Sequence, residues 1–192
     1  MAKKAIVLLA DGFEDVEAVT PIDYLQRAGI EVTTVSISET PNVTSKWGGI
    51  KVTAATTLAQ IAKQGTSGYD AIILPGGMPG TANLAASKET GALVKEMAAS
   101  GKLICAICAA PALVLGSLGL LEGKNFTCYP NMEEKVTNAG NTGCKWSGDR
   151  VVTDGNFITS RGAGTAGEFA VAIIEKLLDK AAAQKIAEAV LL

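Results

Sequence analysis

The stretch Gly101-Lys102-Leu103-Ile104-Cys105-Ala106-Ile107-Cys108-Ala109-Ala110-Pro111-Ala112-Leu113 sets how the rest of the chain is read. An apolar run from Leu103 to Ile107 reaches Cys108, and Ala109-Ala110-Pro111 opens a second apolar segment of helical character. Read as a buried strand, a sharp turn and a helix, the stretch carries one thiol to the carboxyl end of a strand, beside the backbone N–H groups of a helix start. A thiolate forms most easily there. Unpaired helix N–H groups and aligned peptide dipoles favour negative charge, and thiolate character controls cysteine reactivity. The stretch also admits a bland reading, since free cysteine is among the residues most often simply buried.

Working outward, strand and helix patterns alternate. Ala5 to Ala10 is a short apolar run of buried-strand type closed by Asp11-Gly12. Phe13, Val16, Val19, Ile22 and Leu25 then recur every three residues, the mark of a helix lying on a sheet. Pro21 sits inside this pattern and is expected to kink it or end its regular hydrogen bonding, and Gly29 closes it. Glu14, Asp15 and Glu17 suit a helix's first turn, but Glu17 also shares a face with Phe13 and Pro21 just beyond the first strand. Ile30 to Ser38 reads as the second strand. The span 39–53 is an excursion rich in Thr, Ser, Pro and Gly, with a hairpin expected around Trp47-Gly48-Gly49. Trp47 either packs beneath it or serves as an exposed dimer contact.

Leu58 to Ala62 forms a brief helical turn and Ala71 to Leu74 the third core strand. Pro75-Gly76-Gly77-Met78-Pro79-Gly80 follows at once, a tight loop whose backbone N–H groups suit an anion or developing oxyanion. It matches neither a P-loop nor GxGxxG. Thr81 to Ser100 reads as one helix, Lys102 to Ile107 as the fourth strand and Ala109 to Leu118 as the next helix. Phe126 to Tyr129 looks like a strand stopped by Pro130, with a short helix from Met132 to Val136 and short strands around Cys144 to Asp154. Phe157-Ile158-Thr159 enters Ser160-Arg161-Gly162-Ala163-Gly164, another glycine-rich strand exit. Two helices, from Thr165 and over Ala181 to Leu192, end the chain.

This alternation predicts an α/β fold, a mostly parallel central sheet with helices on both faces. Ligands in such sheets bind outside the carboxyl ends of the strands, where the order switches. Asp11-Gly12, Pro75 to Gly77, Cys108 and Arg161-Gly162 all occupy strand exits. One thiol, one carboxylate from Glu17, two glycine loops and an arginine make a small anion-tolerant pocket.

Composition narrows the chemistry. The 192 residues are most simply one domain, 1–192, and a net charge of −2 gives no electrostatic reason to expect nucleic acid or an anionic membrane as partner. The chain has 0 histidines, so no imidazole base serves a serine or cysteine triad and no histidine holds zinc. Cys105, Cys108, Cys128 and Cys144 lack the turn chemistry of a zinc knuckle, and the first cysteine of Cys105-Ala106-Ile107-Cys108 falls inside a strand rather than at a helix start. The apolar run at Ala5 is too short for a signal peptide or a membrane span. A cytoplasmic protein without metal or cofactor is expected.

Ala106-Ile107-Cys108-Ala109-Ala110-Pro111, Leu74-Pro75-Gly76-Gly77, the opening Leu9 to Glu17 and the closing Thr159 to Thr165 together resemble the ThiJ/PfpI superfamily. The closer likeness is to its branch of the Parkinson disease protein deglycase and bacterial relatives. The resemblance implies a flavodoxin-like sandwich and a homodimer. Its reactive cysteine matches Cys108, the carboxylic acid bonded to that thiol matches Glu17, and the Gly76-Gly77 loop supplies backbone donors. Ala109 stands where peptidase-like members carry histidine, and Tyr129 where the disease protein carries one. The family's arginine has no counterpart in Thr44-Ser45-Lys46-Trp47-Gly48; Tyr129 and Arg161 are expected among the pocket residues.

Three activities are implied. Two are enzymatic: deglycation of methylglyoxal or glyoxal adducts on amines and thiols, with nucleic acid entering only as a glycated substrate, and conversion of small aldehydes such as methylglyoxal to lactate. Cys108 would attack carbon, Glu17 relay a proton and the N–H groups near Gly77 and Ala109 hold the oxyanion, with no peptidase action. The third is an oxidative-stress sensor or holdase working through Cys108 oxidation. The Cys108–Glu17 pair is expected to hold one proton, as a thiolate accepting from protonated Glu17.

Overall fold

Side chains alternating to opposite faces of apolar strands organise the protein, a computed structural model that describes residues 2–47 and 49–192. The chain runs β1 (Lys4–Leu9), α1 (Asp15–Arg27), β2 (Glu31–Ser36), β3 (Asn42–Thr44), β4 (Lys51–Thr53), β5 (Thr56–Thr57), α2 (Leu58–Gln64) and β6 (Ala71–Leu74). It continues through α3 (Gly80–Ala86), α4 (Lys88–Ala99), β7 (Leu103–Ile107), a π-type helix over Pro111–Gly116, β8 (Asn125–Phe126), α5 (Glu133–Asn138) and β9 (Lys145–Trp146). The antiparallel pair β10 (Val151–Asp154) and β11 (Phe157–Ser160) leads to α6 (Ala166–Leu177) and α7 (Lys180–Ala189).

Seven strands form the central sheet in the order β10-β11-β7-β6-β1-β2-β5. All neighbours pair parallel except β10 and β11. Ile6, Leu8, Ile72, Leu74, Ile104 and Ala106 face one side, where they meet Ile61 of α2, Leu84 of α3 and Met97 of α4. Ala5, Val7, Leu9, Ile73, Cys105 and Ile107 face the other, against Leu25 of α1, Phe169 and Ile173 of α6 and Ile186 of α7. Because both faces are covered, the inner strands read as continuous apolar runs, and the expected flavodoxin-like sandwich is what forms. The chain crosses between β1 and β6 at the point where strand order reverses, and the carboxyl ends of β1, β6 and β7 open on one edge.

Several elements differ from the sequence reading. The span 81–100 breaks into α3 and α4 at Ser87, whose hydroxyl accepts from Thr90 N–H at 3.0 Å and caps the second helix. α1 continues through the buried Pro21 to Arg27. Of the strand expected from Phe126 to Tyr129, only Phe126 pairs, within β8 (Asn125–Phe126) against β9. The hairpin expected around Trp47-Gly48-Gly49 has β3 and β4 as its antiparallel arms, and Gly48 lies outside the described residues. Trp47 is 74% exposed and so does not pack beneath the excursion.

The loops after β1 and β6 interlock. Gly80 N–H donates to Gly12 C=O at 3.2 Å, and Asn83 Nδ2 donates to Asp11 C=O at 3.0 Å. Gly12 has φ +87, and a β-carbon there would lie 2.5 Å from Pro79 Cδ and 2.8 Å from Gly80 N. Both the left-handed backbone and the missing side chain are required. Gly12→Ala is expected to cost about 1–3 kcal/mol from the strained φ, plus the clash with the second loop. Urea denaturation should show this as a lowered midpoint with an unchanged slope, and a midpoint equal to the parent's would contradict the interlock.

Candidate active site

The parallel ladder continues one residue beyond β7 and then turns sharply. Cys108 N–H donates to Ser160 C=O at 2.9 Å, and Tyr129 N–H donates to Cys108 C=O at 2.8 Å. These bonds clamp Cys108 at φ +65, a conformation uncommon for a residue with a side chain. The turn lifts the thiol off the sheet, whereas Cys105, within the strand, is wholly buried against the α1/α6 layer. Burial alone pushes the Cys105 thiol well above its ordinary value. All four cysteines are free thiols.

Glu17 reaches the same place from the first turn of α1. It is 1% exposed, and its Oε2 accepts from Gly76 N–H at 3.0 Å. Glu17 Oε2 and Cys108 Sγ converge on Gly76, the two groups shift each other's proton affinity, and the N–H groups of Gly77 and Ala109 favour the thiolate. Gly76 is the hinge of this approach. A β-carbon at position 76 would fall onto Glu17 Oε2, 2.6 Å from Cys108 Cβ and 3.0 Å from Sγ. Gly77 has φ +94, and a β-carbon there would strike Glu14 N at 2.5 Å.

Desolvation dominates the electrostatics. Burial raises the Glu17 carboxyl to about 7, with Glu14 adding to the rise while Cys108, Gly76 N–H and Lys46 oppose it. Burial, the Glu17 charge and the hydrogen bond to Glu17 push the Cys108 thiol up to about 12, against the Gly77 and Ala109 N–H groups. Two negative charges in contact repel, so the pair titrates as a unit and carries one proton between these values; the thiol's higher affinity keeps that proton on Cys108 at rest, with Glu17 ionised, rather than on Glu17 as the sequence reading expects, because burial and the neighbouring carboxylate oppose a thiolate.

Tyr129 stands at the rim, 52% exposed, and a β-carbon on Gly162 would touch its ring and Glu17 Oε1, each at 3.7 Å. Gly162 is thus a wall of the site, marked in the sequence only as part of a glycine-rich strand exit. Arg161 is not brought to the thiol. Its Nη1 donates to Gly148 C=O at 3.1 Å, and its charge acts on the buried Cys128. The cation felt by Glu17 is Lys46, whose N–H donates to Phe13 C=O at 2.7 Å. Residue type alone did not point to it, because only the pinning of the excursion to the start of α1 carries it there. Among the described residues, no group of three or more His, Cys, Asp or Glu side chains is placed to hold a metal ion. No described helix is long and apolar enough to cross a membrane.

The raised Glu17 value is also a statement about stability. The folded chain holds this proton up to about 7, whereas the ordinary carboxyl releases it near 4.5. Between those values the folded state binds more protons than the unfolded state, so stability falls as pH rises through the window. Glu17→Gln removes the group and should therefore stabilise the fold at about pH 8, by up to ~3 kcal/mol, with little gain near pH 5. Urea midpoints at the two pH values check this, and a variant weaker than the parent at the higher pH would refute the sign.

The DJ-1/PfpI family profile matches residues 3–176. The Arabidopsis thaliana protein DJ-1 homolog B is 42% identical over 184 residues, which are 96% of this chain and 40% of the plant protein. This chain therefore spans less than half of that relative's length. The Caenorhabditis elegans glutathione-independent glyoxalase DJR-1.2 is 35% identical over 176 residues, 91% of this chain and 89% of the worm protein. The crystal structure of Drosophila melanogaster DJ-1beta superposes with a TM-score of 0.91 at 39% identity, covering 100% of this chain and 99% of the fly chain. With these likenesses extending over nearly the whole sheet and its strand exits, the chain belongs to the DJ-1/PfpI family, in its DJ-1 branch.

Proposed function

We propose that this protein is a cysteine-dependent enzyme acting on reactive carbonyls, of the deglycase or glutathione-independent glyoxalase type. The observation that carries this reading is the Cys108–Glu17 pair, one shared proton held beside the N–H groups of Gly77 and Ala109. Family membership supports a cysteine-based role, and one relative bears the glyoxalase name.

One proton is the right number for carbonyl addition. As the Cys108 thiol passes its proton to the Glu17 carboxylate, the sulfur attacks the aldehyde carbon, the S–C bond forms and the C=O π electrons move to oxygen. Glu17 gives its proton to that oxygen, leaving a neutral hemithioacetal and a carboxylate. The carboxylate then removes the proton from the former aldehyde carbon to give an enediolate. Glu17 returns that proton to the neighbouring carbon while the hydroxyl proton of the first carbon passes to the second oxygen, which yields a lactoyl thioester. Water cleaves it to lactate and restores the thiol. For a glycated amine, water replaces the amine at the adduct carbon. Gly77 and Ala109 N–H groups, which favour negative charge on the sulfur, are the donors this reading assigns to the developing oxyanion. Tyr129 lines the rim, and Arg161 contributes at most from outside the pair. Peptide hydrolysis is not expected, because it asks for a base that also protonates an amine leaving group and the chain has 0 histidines.

The decisive measurement is lactate formation from methylglyoxal by purified protein. It should be lost in Cys108→Ala, and kcat/KM should fall as pH drops below about 7, where the pair takes up its second proton. Absence of turnover across a panel of aldehydes and glycated amines, with holdase action surviving Cys108→Ala, would overturn this reading in favour of a chaperone.

We also propose a homodimer, in the reducing cytoplasm where the thiols stay free. Val16 and Val19 are each 46% exposed on α1, with Ile50 at 43% and Trp47 at 74% on the excursion beside it. Such apolar exposure fits a self-complementary face. Sedimentation at micromolar concentration should give twice the chain mass, and Val19→Glu with Trp47→Glu should return the monomer. A parent that sediments only as monomer would contradict the dimer.

A further inference from the structure

The glycines around the thiol are not alike. A β-carbon on Gly76 would fall onto Glu17 Oε2, 2.6 Å from Cys108 Cβ, and one on Gly77, at φ +94, would strike Glu14 N at 2.5 Å. Gly12, at φ +87, is closed in the same way by Pro79. At these three positions the fold itself demands glycine. Gly162 is different. Its φ of 165 and ψ of −172 are extended backbone that any residue adopts. A β-carbon there would meet nothing nearer, among the described residues, than Glu17 Oε1 and Tyr129 Cδ2, each at 3.7 Å. Those are ordinary van der Waals contacts. This wall of the site therefore tolerates a side chain, and it carries none.

The wall is held firmly enough for its shape to matter. Gly162 N–H donates to Thr165 Oγ1 at 3.1 Å, and Gly162 C=O accepts from Thr165 Oγ1 and from Thr165 N–H, each at 2.8 Å. Thr165 is buried. Two residues before Gly162, Ser160 C=O accepts from Cys108 N–H at 2.9 Å, so the strand end that fixes the thiol also fixes the wall. The facing side is carried by the same turn, because Tyr129 N–H donates to Cys108 C=O at 2.8 Å. Gly162 is partly exposed and Tyr129 is 52% exposed, so the space between them opens outward.

The two oxygens of Glu17 mark the ends of this space. Oε2 accepts from Gly76 N–H at 3.0 Å on the sulfur side, and Oε1 lies toward Gly162 and the Tyr129 ring. A dicarbonyl whose first carbon is bound to sulfur must bring its second carbon within reach of the same carboxyl, since Glu17 takes a proton from one and returns it to the other. Whatever group the second carbon carries is then directed to the Gly162 side.

We propose that Gly162 is the specificity-determining residue of the site, its missing side chain leaving room beside Glu17 Oε1 for one small substituent on the second carbon of the substrate. The proposal rests on the Cys108–Glu17 reading above. It narrows the substrate class to α-oxoaldehydes, and adducts derived from them, that carry hydrogen or a methyl group at that carbon. A methyl group supplied by the protein would take the place of the one supplied by the substrate.

The test is the ratio of kcat/KM for methylglyoxal to that for glyoxal, from lactate and glycolate formation, in the parent and Gly162→Ala. The substitution should lower the ratio by about tenfold or more, chiefly through a raised KM for methylglyoxal, with a urea midpoint no lower than the parent's. Tyr129→Ala widens the opposite side and should raise kcat/KM for phenylglyoxal relative to methylglyoxal by about tenfold. This second variant decides the matter if Gly162→Ala fails to fold. A methylglyoxal to glyoxal ratio that is unchanged in folded Gly162→Ala overturns the proposal and leaves the Cys108–Glu17 pair standing, as does a Tyr129→Ala protein with the parent's selectivity. If the parent turns over neither aldehyde, the carbonyl reading itself fails, and the role of Gly162 falls with it.

Discussion

A carboxyl 1% exposed, set against a thiol, is the constraint on which the rest of this structure depends. Neither group would choose the place alone. Burial lifts Glu17 to about 7 and Cys108 to about 12, and their contact forbids two charges at once. The resulting single proton is what the N–H groups of Gly76, Gly77 and Ala109 are arranged around. A pair held in this state opposes stability at and above neutral pH, and the two packed layers on either side of the sheet supply the margin that permits it.

Backbone approach makes that contact possible. Gly76 has no room for a β-carbon between Glu17 and Cys108, and Gly12 and Gly77 hold left-handed conformations against each other's loops. The three strand exits therefore meet as main chain rather than as side chains. Hydrogen bonds from Cys108 N–H to Ser160 C=O and from Tyr129 N–H to Cys108 C=O then fix the thiol's direction. Such a site is rigid by construction, which suits chemistry in which sulfur and acid must stay in register through a proton transfer.

Lacking any histidine, the chain has a carboxyl where many cysteine enzymes use an imidazole. Burial brings that carboxyl into the range a histidine ordinarily occupies, so the residue type differs while the proton affinity converges. Its neighbours set the fine balance. Lys46 lowers the proton affinity of Glu17 and Glu14 raises it; Lys46 arrives with the excursion pinned to Phe13, whereas Glu14 caps the helix that carries Glu17. Arg161, by contrast, is held by Gly148 and spends its charge near Cys128.

Much of the layered fold was legible in the sequence because burying a sheet on both faces demands continuous apolar strands; the covering face of α1 was not, since Val16 and Val19 of its period-three set are 46% exposed while Glu17, Ala18, Pro21 and Leu25 are buried. The thiol at the end of β7 and the glycine loop after β6 were legible for the same reason, since strand exits are where such sheets gather ligands. What residue type and spacing did not decide is anything that depends on distance between separate loops. Ser87 splitting one helix into two, the reduction of the Phe126 strand to Asn125–Phe126, the outward turn of Arg161 and the arrival of Lys46 all follow from long-range contacts. The proton balance belongs with these. A glutamate's affinity is an ordinary number in the sequence, and only the tertiary structure, by removing water and adding Cys108, Glu14 and Lys46, moves it to about 7.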